Sequence, residues 1–412
     1  MIGLVGHPIH HSLSPFIHQQ LHEVPYLLFE NQPLSAVLKH PALQALNVTY
    51  PYKKEAFERC DLYDETAKQT GVVNTIVKQH DLFKGYNTDA LALKAILETH
   101  GRQSNALKVS LLGNGATAQS ALYALKTLGF NDVTVYARNP KEGQRSLQDL
   151  DPNTQLLINT TTVGMVGHAS SFSFSLDTLK SLVWVIDVVN SPLRTSLILE
   201  AQERGIKTTT GLSMLTRQAL LGAEKMLGRS FEHVHLDRLH QTVLKHTENI
   251  VFIGMPYSGK TTLAKAVAQH LGRPLIDLDE RLAQSFKLSI PEVFDTLGEA
   301  AFREAETALI QDLHHLQGCV IATGGGAILN PQNVALLKRN GLLVWLQAPP
   351  PQSYLSSRPL SPTKASYDAL KKDRWPRYQA VSNLRVQRHE DRLDTFNEWE
   401  RVWHAYYDSQ RP

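Results

Sequence analysis

The segment GMPYSGKT, from Gly254 to Thr261, limits what this chain can fold into more than any other stretch. Two glycines with four residues between them, followed by Lys and Thr, match G-x-x-x-x-G-K-[ST]. In that pattern backbone N–H groups wrap a row of phosphates. Such a loop needs a buried strand before it and a helix after it. The apolar run IVFI precedes the segment and TLAKAVAQHL follows it. Strand, loop and helix of this kind belong to a parallel sheet covered by helices. The pattern sets Ser258, Gly259, Lys260 and Thr262 around the phosphates of ATP. Thr261 ligates Mg2+.

A second glycine loop lies upstream. Gly113-Asn114-Gly115-Ala116-Thr117-Ala118 fits G-x-G-x-x-A, after the strand-like KVSLL and before the strand-like DVTVYA. This βαβ setting is the dinucleotide fingerprint, with Gly113, Gly115 and Ala116 facing the pyrophosphate at a helix start. A cofactor without a 2′-phosphate asks for Asp or Glu at the end of the second strand. This chain has Arg138 there, in YARNPK, which favours NADP(H).

Two cradles within 412 residues suit a multidomain chain. Short apolar runs alternate with amphipathic stretches, among them LLIN, VWVIDVV, CVIATGGG and LLVWL. The expectation is an α/β fold of helix-covered parallel sheets. The net charge of +3 is spread along the chain, so neither nucleic acid nor a membrane surface is expected as a partner. Two distant cysteines fit a reducing compartment, and the location expected is cytoplasmic. The N-terminus lacks the basic and long apolar regions of a signal peptide. His7, His10, His11, His18 and His22 crowd the N-terminal stretch, yet no carboxylate or cysteine completes a zinc pattern there.

Polar signatures cluster after the apolar runs of the first hundred residues. HHSLSPFIHQQL sets Ser12 and Ser14 on a turn before a helix, with Ser14 expected as N-cap and Pro15 as first helical residue. NVTYPYK follows, then VVNTI, YNTD, NTTTVGM and GLSMLTRQA. In this order, over about residues 1–240, the motifs resemble the shikimate dehydrogenase family. The resemblance implies that Ser12 and Ser14 hold the substrate carboxylate, and that Thr49, Asn74 and Gln218 bind ring hydroxyls. It implies a catalytic pair, Lys53 and Asp89, and it sets Thr161 and Gly211 against the dinucleotide. Asn190 stands where that family usually has Tyr, and Thr210 where it often has Asp.

The third block resembles shikimate kinase. LIDLDERL, FREAE, TGGGA and SSRPLS follow the phosphate loop in that family's order. By this resemblance Asp279 draws the proton of the accepting hydroxyl, and Asp277 holds Mg2+ through water. Arg303 and Arg374 grip the carboxylate beside Gly325, and Arg358 closes from a lid onto the phosphates. Tyr257 takes a position usually glycine, and the lid is short. The implied division is a dehydrogenase substrate domain over 1–101, completed by a helix over 212–236. A Rossmann NADP domain covers 102–211, a linker 237–248, and a P-loop kinase domain 249–412. The expected substrates are the small molecules 3-dehydroshikimate and shikimate. The rival readings are one half degenerate and acting as a ligand-binding module, or a dehydrogenase half that prefers quinate.

Overall fold

A computed structural model describes residues 1–99, 105–354 and 359–410. Two compact units emerge. One comprises Met1–Ser191 with Glu200–Val243, and the other Pro192–Leu199 with Leu244–Gln410. The boundary expected at 101/102 lies outside the described residues.

Among the described residues the first unit holds two six-stranded sheets. The N-terminal sheet is built from β1 (Ile2–Gly6), β2 (Tyr26–Glu30), β3 (Ala45–Val48), β4 (Leu62–Tyr63), β5 (Thr75–Gln79) and β6 (Leu82–Tyr86), in the order β2-β1-β3-β5-β6-β4. Parallel sheets were expected throughout, but β5 runs antiparallel to both β3 and β6. The β5–β6 hairpin turns at His80, whose φ is 55°. The sequence there, KQHDLF, lacks the Asn-Gly type of signal that marks a hairpin.

The second sheet contains β7 (Val109–Leu112), β8 (Val133–Ala137), β9 (Arg145–Ser146), β10 (Leu156–Asn159), β11 (Trp184–Asp187) and β12 (Lys207–Thr209). Its order is β12-β11-β10-β7-β8-β9, parallel throughout. The strands β7, β10 and β11 are buried at every residue, as helices on both faces require. The order reverses at β7, so its carboxyl end opens a crevice for a ligand. Helix Thr88–Glu98 packs on both helix Ala116–Thr127 and helix Gly211–Leu227, which joins the two sheets of this unit.

The second unit is built on β13 (Asn249–Ile253), β14 (Leu275–Asp277), β15 (Val320–Ala322), β16 (Gly341–Gln347) and β17 (Leu384–Gln387). The order is β14-β15-β13-β16-β17, again all parallel. Here the order reverses at β13, and the segment Gly254–Thr261 leaves its carboxyl end. Pro192–Leu199 belongs to this unit through a buried polar dock. Arg194 Nη2 meets Glu248 Oε1 at 2.7 Å, Arg194 Nε donates to Lys338 O at 2.8 Å, and Tyr407 OH donates to Glu248 Oε2 at 2.6 Å. A buried carboxylate needs such partners, because leaving it unpaired is costly.

The stretch read as a polar linker, 237–248, falls mostly on a helix, His233–Thr247. Leu236, Leu239, His240, Val243 and Leu244 are all buried. Their spacing of three, one, three and one is a helical stripe, obscured in the sequence by the polar residues between. None of the described helices is long and apolar enough to cross a membrane.

Two candidate active sites

In the first unit, Lys53 and Asp89 stand 36 residues apart in sequence and meet in space, with Nζ 2.6 Å from Oδ2. Each opens a helix: Lys53 begins Lys53–Glu58, and Asp89 is the second residue of Thr88–Glu98. The positive end of a helix favours the carboxylate and opposes the ammonium. The Asp89 carboxylate, in a residue only 5% exposed, is therefore what anchors the Lys53 cation. Asn87 caps the Asp89 helix, with Oδ1 accepting from Ala90 N at 3.1 Å. Its Nδ2 donates to Thr70 Oγ1 and to Ser120 Oγ, both at 2.9 Å. Ser120 lies on the helix after the first glycine loop. Asn87 thus ties helix Thr88–Glu98 to helix Ala116–Thr127, a link that the cluster YNTD did not disclose.

Asn74 is buried, and its Oδ1 accepts from Thr88 N at 2.8 Å and Thr88 Oγ1 at 3.1 Å. A polar chain continues behind it, with Asn47 Nδ2 donating to Thr75 Oγ1 and Tyr26 OH donating to Asn47 Oδ1. A Cβ on Gly222 would lie 3.4 Å from Asn47 Nδ2, so the helix carrying Gln218 rests directly on this chain. Gln218 is half-buried, with Nε2 on Leu215 O. Thr49 follows β3 and lies beside the end of β1, where a Cβ on Gly6 would meet its Cγ2 at 2.3 Å. Ser12 and Ser14 are brought together, Ser12 Oγ accepting from Ser14 N at 3.2 Å. Ser14 is not the N-cap. The helix is Ser14–Leu21, Leu13 is its N-cap, and no side chain caps it, because the hydroxyl that meets the chain there is that of Ser12. Behind this turn His18 is buried and stacked on Tyr26, and burial pushes its pKa down to about 3.

The first glycine loop suits a pyrophosphate. Gly113 has φ 108°, and a Cβ on it would strike Thr160 Oγ1 at 2.7 Å. A Cβ on Gly115, the N-cap of Ala116–Thr127, would meet nothing within 4 Å, which leaves space at the helix's positive end. Thr161 is oriented by Asn159 Oδ1, which accepts from its N and Oγ1, and Asn159 in turn donates to Asp187. Gly211 lies so close to the chain after β11 that a Cβ would be 2.3 Å from Val189 O. Arg138 follows β8 and is exposed, as the strand-end position demands. Asn190 and Thr210 are both half-buried.

In the second unit Lys260 is buried at the start of helix Lys260–Leu271, and Nζ donates to Gly254 O at 2.9 Å and Met255 O at 3.0 Å. Gly254 and Gly259 have φ of 150° and 91°, and Ser258 is buried between them. Tyr257 occupies the left-handed region at φ 67°, its OH donating to Ser361 O at 3.0 Å and its own carbonyl accepting from Arg388 Nη1 at 2.8 Å. Thr262 is exposed on the first turn. Thr261 Oγ1 donates to Asp277 Oδ2 at 2.8 Å. A hydroxyl beside a carboxylate fits Mg2+, which favours oxygen ligands and keeps much of its water.

Gly324 and Gly326 of TGGGA are small because charged side chains fill the space beside them. A Cβ on Gly324 would lie 2.7 Å from Asp279 Oδ1 and 3.0 Å from Glu306 Oε1, and one on Gly326 would lie 2.3 Å from Arg303 Nη2. A Cβ on Gly325 would touch Pro256 of the phosphate loop at 3.0 Å, and its carbonyl accepts from Tyr378 OH at 2.5 Å. Arg303 pairs with Glu306 at 2.8 Å and Glu299 at 3.1 Å. Burial raises the Glu306 carboxyl above its ordinary range against the pull of Arg303, and burial lowers the pKa of Arg374. Glu306 Oε1 and Arg374 Nε are buried without a hydrogen-bond partner. An acceptor and a donor left open beside Asp279 suit a polyhydroxy carboxylic acid. Arg358 lies outside the described residues. Glu299, Glu306 and Tyr378 complete this site. Of these the sequence exposed only the helical spacing of Arg303 and Glu306.

Comparison with known proteins follows the same division. The family model described as shikimate dehydrogenase substrate binding domain matches residues 4–76, and the one described as shikimate kinase matches residues 256–401. The shikimate dehydrogenase (NADP(+)) of Bacillus licheniformis is 32% identical over 252 residues, covering 55% of this chain and 91% of the relative. That of Shouchella clausii is 30% identical, covering 58% and 96%. A crystal structure of shikimate 5-dehydrogenase from Thermus thermophilus, described as in complex with NADP(H) and shikimate, is 26% identical with a TM-score of 0.51. It covers 58% of this chain and 98% of its own. A chorismate mutase/shikimate 5-dehydrogenase fusion protein from Clostridium acetobutylicum has a TM-score of 0.54 at 26% identity, covering 59% and 96%.

Proposed function

The chain belongs to the shikimate dehydrogenase family and carries a shikimate kinase domain in the same polypeptide, and on that premise we propose that it performs two consecutive reactions. The first unit reduces 3-dehydroshikimate to shikimate with NADPH. The second phosphorylates shikimate to shikimate 3-phosphate with ATP and Mg2+. The product of one site is the substrate of the other, both within the pathway to the aromatic amino acids. Buried thiols at Cys60 and Cys319 agree with a cytosolic setting.

The part-buried Lys53–Asp89 pair carries the first half. Bound NADPH supplies the hydride to the carbonyl carbon. Lys53 holds a proton at Nζ against the carbonyl oxygen and delivers it as the alkoxide forms, and Asp89 fixes Nζ in place and balances its charge. Ser12 and Ser14 orient the carboxylate. Thr49, Asn74 and Gln218 orient the ring hydroxyls, so that the carbonyl presents one face. Thr161 and Gly211 border the dinucleotide, and Arg138 meets the 2′-phosphate.

The open acceptor and donor at Glu306 and Arg374, beside Asp279, carry the second half. Arg303 and Arg374 hold the shikimate carboxylate. Asp279 accepts the proton of the attacking hydroxyl. Lys260 and the loop amides hold the phosphates, with Ser258, Gly259 and Thr262 around them, and Arg358 covers them. Thr261 and Asp277 would hold Mg2+, which would supply positive charge beside the phosphates.

The test is to supply the purified chain with 3-dehydroshikimate, NADPH and ATP-Mg2+ and identify products by mass. Shikimate 3-phosphate supports the reading, whereas shikimate alone or no product overturns one half or both.

A further inference from the structure

The middle residue of Gly113-Asn114-Gly115 is left free by the dinucleotide pattern, yet here it makes two specific contacts. Asn114 Nδ2 donates to Asn139 O at 3.2 Å and to Gln144 Oε1 at 3.1 Å. The same Gln144 oxygen accepts from Lys141 N at 3.0 Å, and Gln144 N donates to Lys141 O at 2.9 Å. Gly143, at φ 77°, lets the chain close this turn. The result is a small loop after β8, tied to itself by Gln144 and tied to the first glycine loop by Asn114. Both carboxamides are half-buried, while Arg138, Lys141 and Arg145 around them are exposed. Among the described residues no ion pair engages any of these three cations.

We infer that Asn114 and Gln144 form a clamp that holds the Arg138–Arg145 loop in register with the glycine loop, so that the site for the cofactor's 2′-phosphate is formed before the cofactor arrives. The inference rests on the proposed use of NADPH. Two different phosphates must be met at once, the pyrophosphate by the Gly115 amide region and the 2′-phosphate by the loop cations. A ligand spanning both sites gains most when their separation is already set, because ordering a loop during binding costs affinity. A carboxamide suits the task. One NH2 group can donate to two acceptors on the neighbouring loop, and the neutral side chain adds no charge beside a phosphate. Asn114 and Gln144 are therefore positioning residues for cofactor choice.

The test uses the full chain and the fluorescence of the reduced nicotinamide, which reports binding at this site alone and needs no turnover. NADPH and NADH are titrated against the unaltered protein, Asn114→Ala, Gln144→Ala and the double variant. Each single change is expected to weaken NADPH about five- to tenfold, on the scale of one or two lost hydrogen bonds. NADH should move less than twofold. The double variant should be no weaker than the worse single, because both break one device. Gln144→Met, which keeps the length and removes the acceptor, should match Gln144→Ala. Unchanged NADPH affinity, with the parent still preferring NADPH, overturns the clamp and leaves the NADPH reading standing. Equal weakening of both cofactors also overturns it, since Asn114 would then serve only the glycine loop. A parent protein that binds NADH as tightly as NADPH overturns the NADPH reading itself.

Discussion

Both units place a glycine loop at the strand where a parallel sheet reverses its order, yet they manage charge in opposite ways. The first sets a single ion pair, Lys53–Asp89, next to a hydrogen-bonded chain of neutral groups that runs from Thr88 through Asn74 and Thr75 to Asn47. The second gathers Arg303, Glu299, Glu306 and Asp279, with Asp279 and Glu306 set against Gly324 and Arg303 against Gly326. The difference follows the chemistry. Reducing a carbonyl moves one proton and needs one well-placed donor in otherwise neutral surroundings. Moving a phosphoryl group to an acid gathers several negative charges, which need fixed cations.

The sharpest way to break the comparison is to remove each unit's lysine. Lys260→Ala should cost phosphorylation a factor of about 10³ or more and leave reduction within twofold. Lys53→Ala should cost reduction about 10²–10⁴ and leave phosphorylation intact. Measuring both rates in both variants decides it, and a folded variant that loses both would show that the units do not work separately.

Acid should separate the units next. His18, with pKa lowered to about 3, and His240, lowered to about 4, are kept neutral by burial in the first unit. Below about pH 6.5 the unfolded chain takes up protons that these folded side chains refuse. Stability therefore falls from pH 6.5 toward pH 3–4, by on the order of several kcal/mol for the pair. His22, beside His18, is lowered by burial and pulls the same way. In the second unit Glu306, raised by burial, acts with the opposite sign, while His246, lowered by burial, acts like His18. Hydrogen exchange read by mass spectrometry at pH 7 and pH 5 should show the first unit loosening more. Equal protection losses would erase the contrast.

Arg374→Ala should raise the KM for shikimate in phosphorylation about 30- to 150-fold, since a buried charged contact is worth roughly 2–3 kcal/mol. Reduction kinetics should not change. A smaller effect, in Arg138→Ala, should be a loss of about tenfold in preference for NADPH over NADH, measured as the ratio of kcat/KM values. The smallest concerns the nucleotide base. The sequence from Ala348 to Lys364 carries a single arginine, Arg358, and lacks an earlier one to cover the base, so GTP should serve within about tenfold of ATP. A preference of a hundredfold would assign the base to Arg388, which already lies along the phosphate loop, or to Arg392.

Much of this was legible in the chain because it is local. A glycine loop between an apolar run and an amphipathic one specifies strand, turn and helix within about twenty residues, and both loops stand where the sequence put them. Fully apolar runs such as LLIN and VWVID read as buried strands because a sheet covered on both faces tolerates nothing else there.

Tertiary structure decided whatever depends on partners distant in sequence. The antiparallel turn at His80 has no local signature, and the helix His233–Thr247 hid its stripe among histidines and threonines. Pro192–Leu199 follows a strand of one unit and belongs to the other, because the buried Glu248 needs Arg194. TGGGA could be read as a loop, but not that Arg303, Asp279 and Glu306 would occupy the room a Cβ needs. Periodicity and capping act between neighbours along the chain. Ion pairs and steric exclusion act between neighbours in space, and only the packed fold brings those together.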